Sequence, residues 1–222
     1  MKANINILCI IFLTLATGIR AQETDVSSLL DSTRHRLLHI ESYDVDATLQ
    51  VDIDFVNMPD KKARIHFTAP DKLDIESDGF LMIPKVGLKP MIRQLDLDRY
   101  HAMLIDEDYV HDDSCFVIKL IPKRANSKIV LSTLWIRKDD YFILGWEVFM
   151  KKSGNMMVDF YYDDEVLPGR IVFSFELSKM NIPLKYFGSE VEIDDAGLKS
   201  GEVQQGKVSI LFENYHIVYS NK

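Results

Sequence analysis

The chain has 222 residues and a formal net charge of −8, with 47% hydrophobic and 10% aromatic residues. That is enough apolar material for a sizeable core in one domain, so intrinsic disorder is excluded as the default. The acidic balance, with no basic stripe, disfavours a nucleic-acid partner, because an anionic surface repels phosphate.

Residues 1–21 read as an export signal: Lys2 supplies the positive start, residues 5–16 are nearly continuously apolar, and Thr17, Gly18 and Ala21 offer small residues for cleavage. Cleavage after Ala21 removes Lys2 and Arg20 and takes the net charge from −8 to −10. No later stretch is long and apolar enough to span a bilayer. The expected location is therefore the periplasm, without lipidation or a transmembrane helix. Cys9 lies inside the signal, too early to be the acylated first residue of a mature lipoprotein. That leaves Cys115 as a lone thiol, expected to be a small buried hydrophobe with no disulfide partner. No linker or composition shift divides residues 22–222, which are expected to form a single domain.

Residues 25–40 have the spacing of an amphipathic helix, with Val26, Leu29, Leu30, Thr33, Leu37 and Ile40 on one stripe and Thr24 or Asp25 as cap. Arg34, His35 and Arg36 lie mostly off that stripe. The clearest signal follows. Tyr43, Val45, Ala47, Leu49, Val51, Ile53 and Phe55 alternate with Asp44, Asp46, Thr48, Gln50, Asp52 and Asp54. Such a strand spans roughly 40 Å at about 3.3 Å per residue, with one oily and one wet face, which suits a curved sheet. After a turn at residues 57–60, Ala63, Ile65 and Phe67 repeat the alternation, and Leu73 and Ile75 begin another strand beyond Pro70 and Asp71. Further strands are expected at 100–105, 115–121, 128–137, 141–150, 156–162, 170–178 and 207–219. Phe142, Leu144, Trp146, Val148 and Met150 form one apolar face, and Met156, Val158, Phe160 and Tyr162 the facing one.

Two segments break the pattern. Residues 79–92 are apolar yet punctuated by Gly79, Pro84, Gly87 and Pro90, too greasy for an idle surface loop. Residues 180–201 form a second irregular stretch. Both, with the first helix, are expected to close the open side of a curved sheet. The apolar residues of 79–92 read equally as a plug for the core and as a gate for a ligand.

Catalytic chemistry is sparse. His35 and His39 have i,i+4 spacing but no intervening Glu, so solvated helix residues are expected rather than a metal pair. Asp106, Glu107, Asp108, His111, Asp112 and Asp113 are dense in oxygen ligands, but a calcium loop would need a glycine at its sharp turn, and a charged hairpin end is the expectation. No nucleophile-elbow, P-loop or dinucleotide motif occurs. The reading is a non-enzyme without cofactor or metal, a hydrolase of envelope lipids being the remaining enzymatic alternative.

The run 113–123 resembles a strand ending in a Leu-x-Pro-Lys type turn, and Leu134-Trp135-Ile136-Arg137-Lys138-Asp139 is similar to a Trp-Ile-Asp hairpin entry. Gly154-Asn155, Phe160-Tyr161 and Leu167-Pro168 follow where a turn, a strand and a pre-strand proline belong. Upstream, Met58-Pro59, Ala69-Pro70-Asp71-Lys72 and Pro84-Lys85 look like further elements of the same pattern. Over roughly residues 25–180 these resemble the periplasmic outer-membrane lipoprotein-sorting proteins with a LolA-like fold, in their Bacteroidetes-type members.

The resemblance implies an incomplete antiparallel β-barrel, all-β with covering helices, closed by the N-terminal helix and apolar loops around a cavity for acyl chains. It implies an acylated lipoprotein or another envelope lipid as ligand, inner- and outer-membrane transfer proteins as partners, and peripheral membrane contact. An envelope sensor or protein-interaction module on the same fold is the alternative. The residues expected to line the cavity or lid are Val45, Leu49, Val51, Ile65, Phe67, Phe80, Met82, Ile83, Leu88, Met91, Phe142, Leu144, Trp146, Val148 and Phe160. Arg64, Arg93 and Arg99 are, by position only, candidates for a basic residue that holds a lid.

Overall fold

The computed structural model describes residues 25–53, 56–77, 97–151, 154–163, 166–176, 192–193 and 205–220. The first element is helix α1 (Val26–Leu38). Asp25 caps it, its carboxylate accepting the Ser27 N–H at 3.1 Å, and His35 and Arg36 sit in the last turn, where the helix dipole favours cations. The helix ends two residues short of the expected position because Ile40 already belongs to the first strand.

That strand, β1 (Ile40–Ile53), is 14 residues long. It is followed by β2 (Val56–Asn57), β3 (Lys61–Thr68) and β4 (Lys72–Ser77). After a 3-10 turn at Leu97–Arg99 come β5 (Tyr100–Val110), β6 (Asp113–Pro122), β7 (Ile129–Arg137) and β8 (Ile143–Met150). The set ends with β9 (Gly154–Tyr161), β10 (Arg170–Glu176), the short β11 (Glu192–Ile193) and β12 (Gln205–Tyr219).

All of these join one antiparallel sheet whose long strands run β4-β3-β1-β12-β10-β9-β8-β7-β6-β5, with β2 and β11 extending the edge of β1. Among the described residues β4 and β5 end the order without pairing to each other, so the sheet curls but does not close. The expected half-barrel with an N-terminal helix is what the chain forms. Residues 79–92 and 180–201, expected to help close it, lie outside the described residues apart from β11.

Register turns the alternating sequence into a continuous inner face. Val51, Val208, Phe173, Val158, Trp146, Leu134, Ile118 and Leu104 stand side by side across eight strands, every one apolar. The parallel row is Ile53, Gly206, Phe175, Met156, Val148, Ser132, Leu120 and Ala102. Gly206 is required there: a Cβ on it would meet the Phe175 ring at 2.8 Å and Ile53 at 3.1 Å. On the other flank, Tyr43, Val45 and Ala47 of β1 face Phe67, Ile65 and Ala63 of β3. Most of these side chains are buried, and α1 contributes Leu29 and Leu30 to the same core.

The charged hairpin end expected at 106–113 is the β5–β6 connection, where His111 and Asp112 both take positive φ. Its carboxylates are engaged locally: Asp108 accepts the Trp135 indole N–H at 3.2 Å and Asp113 a guanidinium N–H of Arg137 at 2.9 Å. Cys115 is fully buried, which pushes its thiol pKa up.

Candidate functional site: an aromatic slot beneath the first helix

Two β-bulges decide which side chains reach the inner face under α1. In β12, two residues, Asn214 and Tyr215, oppose the single Val45 of β1, and Asn214 adopts φ 59°. Asparagine tolerates that left-handed conformation better than most residues. Its side chain donates to Asp46 at 3.0 Å on the outer face, which fixes the bulge. The extra residue reverses the alternation, so Phe212 and Tyr215, three apart, both point inward. In β8 the pairing with β7 passes from Gly145 directly to Ile143, skipping Leu144.

The result is a slot of about 40 Å³, lined on the helix side by Thr33, Arg36 and Leu37 and on the sheet side chiefly by Tyr43, Phe142, Ile143, Phe160, Tyr162, Phe212 and Tyr215. Tyr141, Val166, Leu167 and Pro168 complete the wall. Aromatic contacts stiffen both sides. Tyr43 stacks on Phe67 with ring centroids 5.1 Å apart and meets Tyr215 edge-on at 5.8 Å, while Phe142 stacks on Tyr162 at 4.4 Å. The Tyr215 hydroxyl donates to the Pro168 carbonyl at 2.9 Å, and the Thr33 hydroxyl to the Leu29 carbonyl at 3.2 Å, so both of these hydroxyls are engaged. Burial pushes the phenols of Tyr43 and Tyr162 far up in pKa; both are neutral at any physiological pH.

The rim is a cationic clamp. Arg36 donates to the Asp140 carbonyl at 2.7 Å and lies over the Phe142 ring at 4.5 Å, tying the last turn of α1 to the β7–β8 turn. Arg137 grips the Asp140 carboxylate through two bonds of 2.9 and 2.7 Å, and its remaining arm reaches Asp113. Burial pushes the Asp140 carboxyl up, but the Arg137 bonds and the Phe142 N–H outweigh it and hold the group below the usual carboxylate range.

Several expected residues lie elsewhere than at this slot. Phe142 and Phe160 line it. Val45, Leu49, Ile65, Phe67, Trp146 and Val148 are buried on the inner face, and Val51 is half-buried there. Leu144 is buried but stands outside the inner cluster, because the bulge gives its place to Ile143. Phe80, Met82, Ile83, Leu88 and Met91, like Arg93, lie outside the described residues. Arg64 faces outward and pairs with Asp46 at 3.3 Å, and Arg99 is exposed, so the arginines at the helix rim are Arg36 and Arg137 instead. Tyr43 and Phe212 follow from alternation. Tyr215 does not; the one hint is an asparagine inside a strand.

The outer face carries a wider depression of about 530 Å³, lined by Asp46, Thr48, Lys62, Arg64, Glu76, Glu213 and Asn214. Its charges answer one another and its chemistry is that of a solvated surface. No metal-binding group of His, Cys, Asp and Glu occurs among the described residues, and none of their helices is long and apolar enough to cross a membrane.

No protein-family model and no curated protein matches the sequence. Solved structures do match in fold. A LolA superfamily protein from Nitrosomonas europaea superposes with a TM-score of 0.50 at 12% identity, covering 86% of this chain and 93% of that one. A DUF1329 family protein from Desulfovibrio piger gives a TM-score of 0.47 at 13% identity, covering 86% and 92%. The open antiparallel sheet with its covering helix is a LolA-like fold.

Proposed function

We propose that the protein is a periplasmic, non-catalytic carrier or binder of acyl chains, taken from lipoproteins or other envelope lipids, as the resemblance to lipoprotein-sorting proteins implies. In this reading residues 1–21 direct export and residues 22–222 act as one domain. The observation that carries it is a row of apolar residues on the inner face, unbroken across eight strands, with one 13-residue helix, among the described residues, over one end of that face.

The slot of about 40 Å³ is far smaller than small-molecule sites, which run from about 300 Å³ upward. An acyl chain therefore enters only when α1 moves off the sheet. Magnitudes permit it. α1 buries Leu29 and Leu30, worth about 1.5–3 kcal/mol each, and is held further by partly buried Val26 and Leu37 and by the Arg36 contacts. A chain of about fifteen methylenes gains roughly 12 kcal/mol at about 0.8 each. In this reading the ligand competes with the helix for the same surface, and His39 alone separates helix from strand. Handover then needs only the return of α1.

Native mass spectrometry of the protein purified from a bacterial periplasm tests this: bound acylated species are expected, and consistently empty protein contradicts it. A second reading, an envelope sensor or protein-interaction module, draws on β5, which ends the strand order and exposes Met103, Ile105 and Tyr109, the last 74% accessible. Recovery of one stoichiometric envelope protein without lipid favours that reading instead.

A further inference from the structure

Among the described residues, two polar groups on the inner face are buried and unpartnered, and they are neighbours. Ser132 on β7 is fully buried and is the one polar residue in its eight-strand row. Trp146 on the adjacent β8 is 7% exposed, and its indole N–H is buried. Ser132 pairs with Val148 and Trp146 with Leu134, which makes the two a diagonal pair on one face. Such diagonals lie roughly 7–8 Å apart, within reach of a long aromatic side chain. Among the described residues neither the Trp146 Nε1 nor the Ser132 Oγ has a hydrogen-bond partner. Buried polar groups are almost always paired, so two orphans together ask for a missing one.

Chemistry narrows the missing group. An indole N–H only donates, and a hydroxyl donates as readily as it accepts. A carbonyl oxygen, with two lone pairs, takes a bond from each. Their inner-face neighbours Leu134, Val148, Val158 and Leu120 carry no charge, so a carboxylate would be buried without a counter-ion, at high cost. We propose that Trp146 and Ser132 form a carbonyl-binding step on the inner face, which selects neutral acyl esters or amides over free fatty acids and plain hydrocarbon. This rests on the carrier reading and adds the ligand class. Phe160, two residues from the Val158 that faces Trp146, lines the slot under α1. A chain anchored at the step therefore has its apolar track laid out toward the helix.

The test uses the mature chain with three probes: methyl palmitate labelled with ¹³C at the carbonyl, hexadecane and palmitate. Competition against a fluorescent acyl probe gives affinities, and infrared spectroscopy reads the labelled carbonyl. Two bonds of ordinary strength predict a preference for ester over hexadecane of about tenfold or more, with the carbonyl band moved to lower frequency than in alkane solution. In Ser132→Ala/Trp146→Phe both the preference, read as the ratio of ester to hexadecane affinity in the same variant, and the band shift should vanish. Ser132→Ala alone, a small change inside the sheet, should halve the effect and serves if the double variant does not fold. A bound ester with an unshifted carbonyl, or an equal shift in the variants, overturns the proposal and leaves the carrier reading standing. Binding of none of the probes overturns both.

Discussion

Two depressions among the described residues lie on opposite faces of the same strands, and the larger one is the less informative. The outer one, about 530 Å³, is lined by Asp46, Arg64, Glu76 and Glu213; the inner one, about 40 Å³, by Tyr43, Phe160, Phe212 and Tyr215. A single residue, Asn214, shapes both: its amide holds Asp46 outside, and its positive φ turns Tyr215 inside. The comparison teaches that volume without chemistry marks a wet surface, whereas the small slot beneath the helix is lined by aromatic rings on the apolar inner face.

Truncation gives the sharpest contrast. Phe160→Ala should cost about 3–5 kcal/mol in urea unfolding, as for other buried aromatics. Arg64→Ala, removing an ion pair whose partners are both exposed, should cost at most about 1 kcal/mol. Comparable losses would erase the distinction between the two faces.

The bulge comes next. Asn214→Ala loses the bond to Asp46 and strains a left-handed backbone, so a destabilisation of about 1–2 kcal/mol is expected. Asn214→Gly keeps the backbone at ease and should cost less. If the two variants were equal in thermal unfolding, the bulge would not be what positions Tyr215.

These residues also show how much was legible beforehand. The period-two run from Tyr43 to Ile53 gave β1 and its inner face correctly, because alternation is a property of the strand alone. Tyr215 and Ile143 were not legible, since a bulge is decided by a partner strand and reverses parity without changing composition. Of the by-position candidates for a basic lid residue, Arg64 faces outward, Arg99 is exposed and Arg93 lies outside the described residues; which arginine meets a rim depends on where a helix docks, and in the sequence Arg36 is legible only as a charged residue off the apolar stripe. Trp146 and Ser132 look like ordinary strand residues until register shows them adjacent and unpaired. The apolar segment 79–92 lies outside the described residues.

A smaller effect separates rim from slot. The folded Asp140 carboxyl titrates below the ordinary 3.8, so its clamp contributes stability at neutral pH. As pH falls past that value the unfolded chain takes up the proton first, and the contribution is lost through the lower pKa of the folded state. Asp140→Asn should therefore flatten the acid limb of a stability-against-pH curve measured by circular dichroism. An unchanged limb would show that the clamp does not hold the helix end.

The most direct test is hydrogen exchange across α1 (Val26–Leu38) with and without a saturating diacylglycerol lipid. If the helix yields its place to an acyl chain, its amides lose protection on binding while those of β1 and β12 keep theirs. Lipid bound with the protection of α1 unchanged would contradict the account, because the chain would then lie somewhere other than beneath the helix.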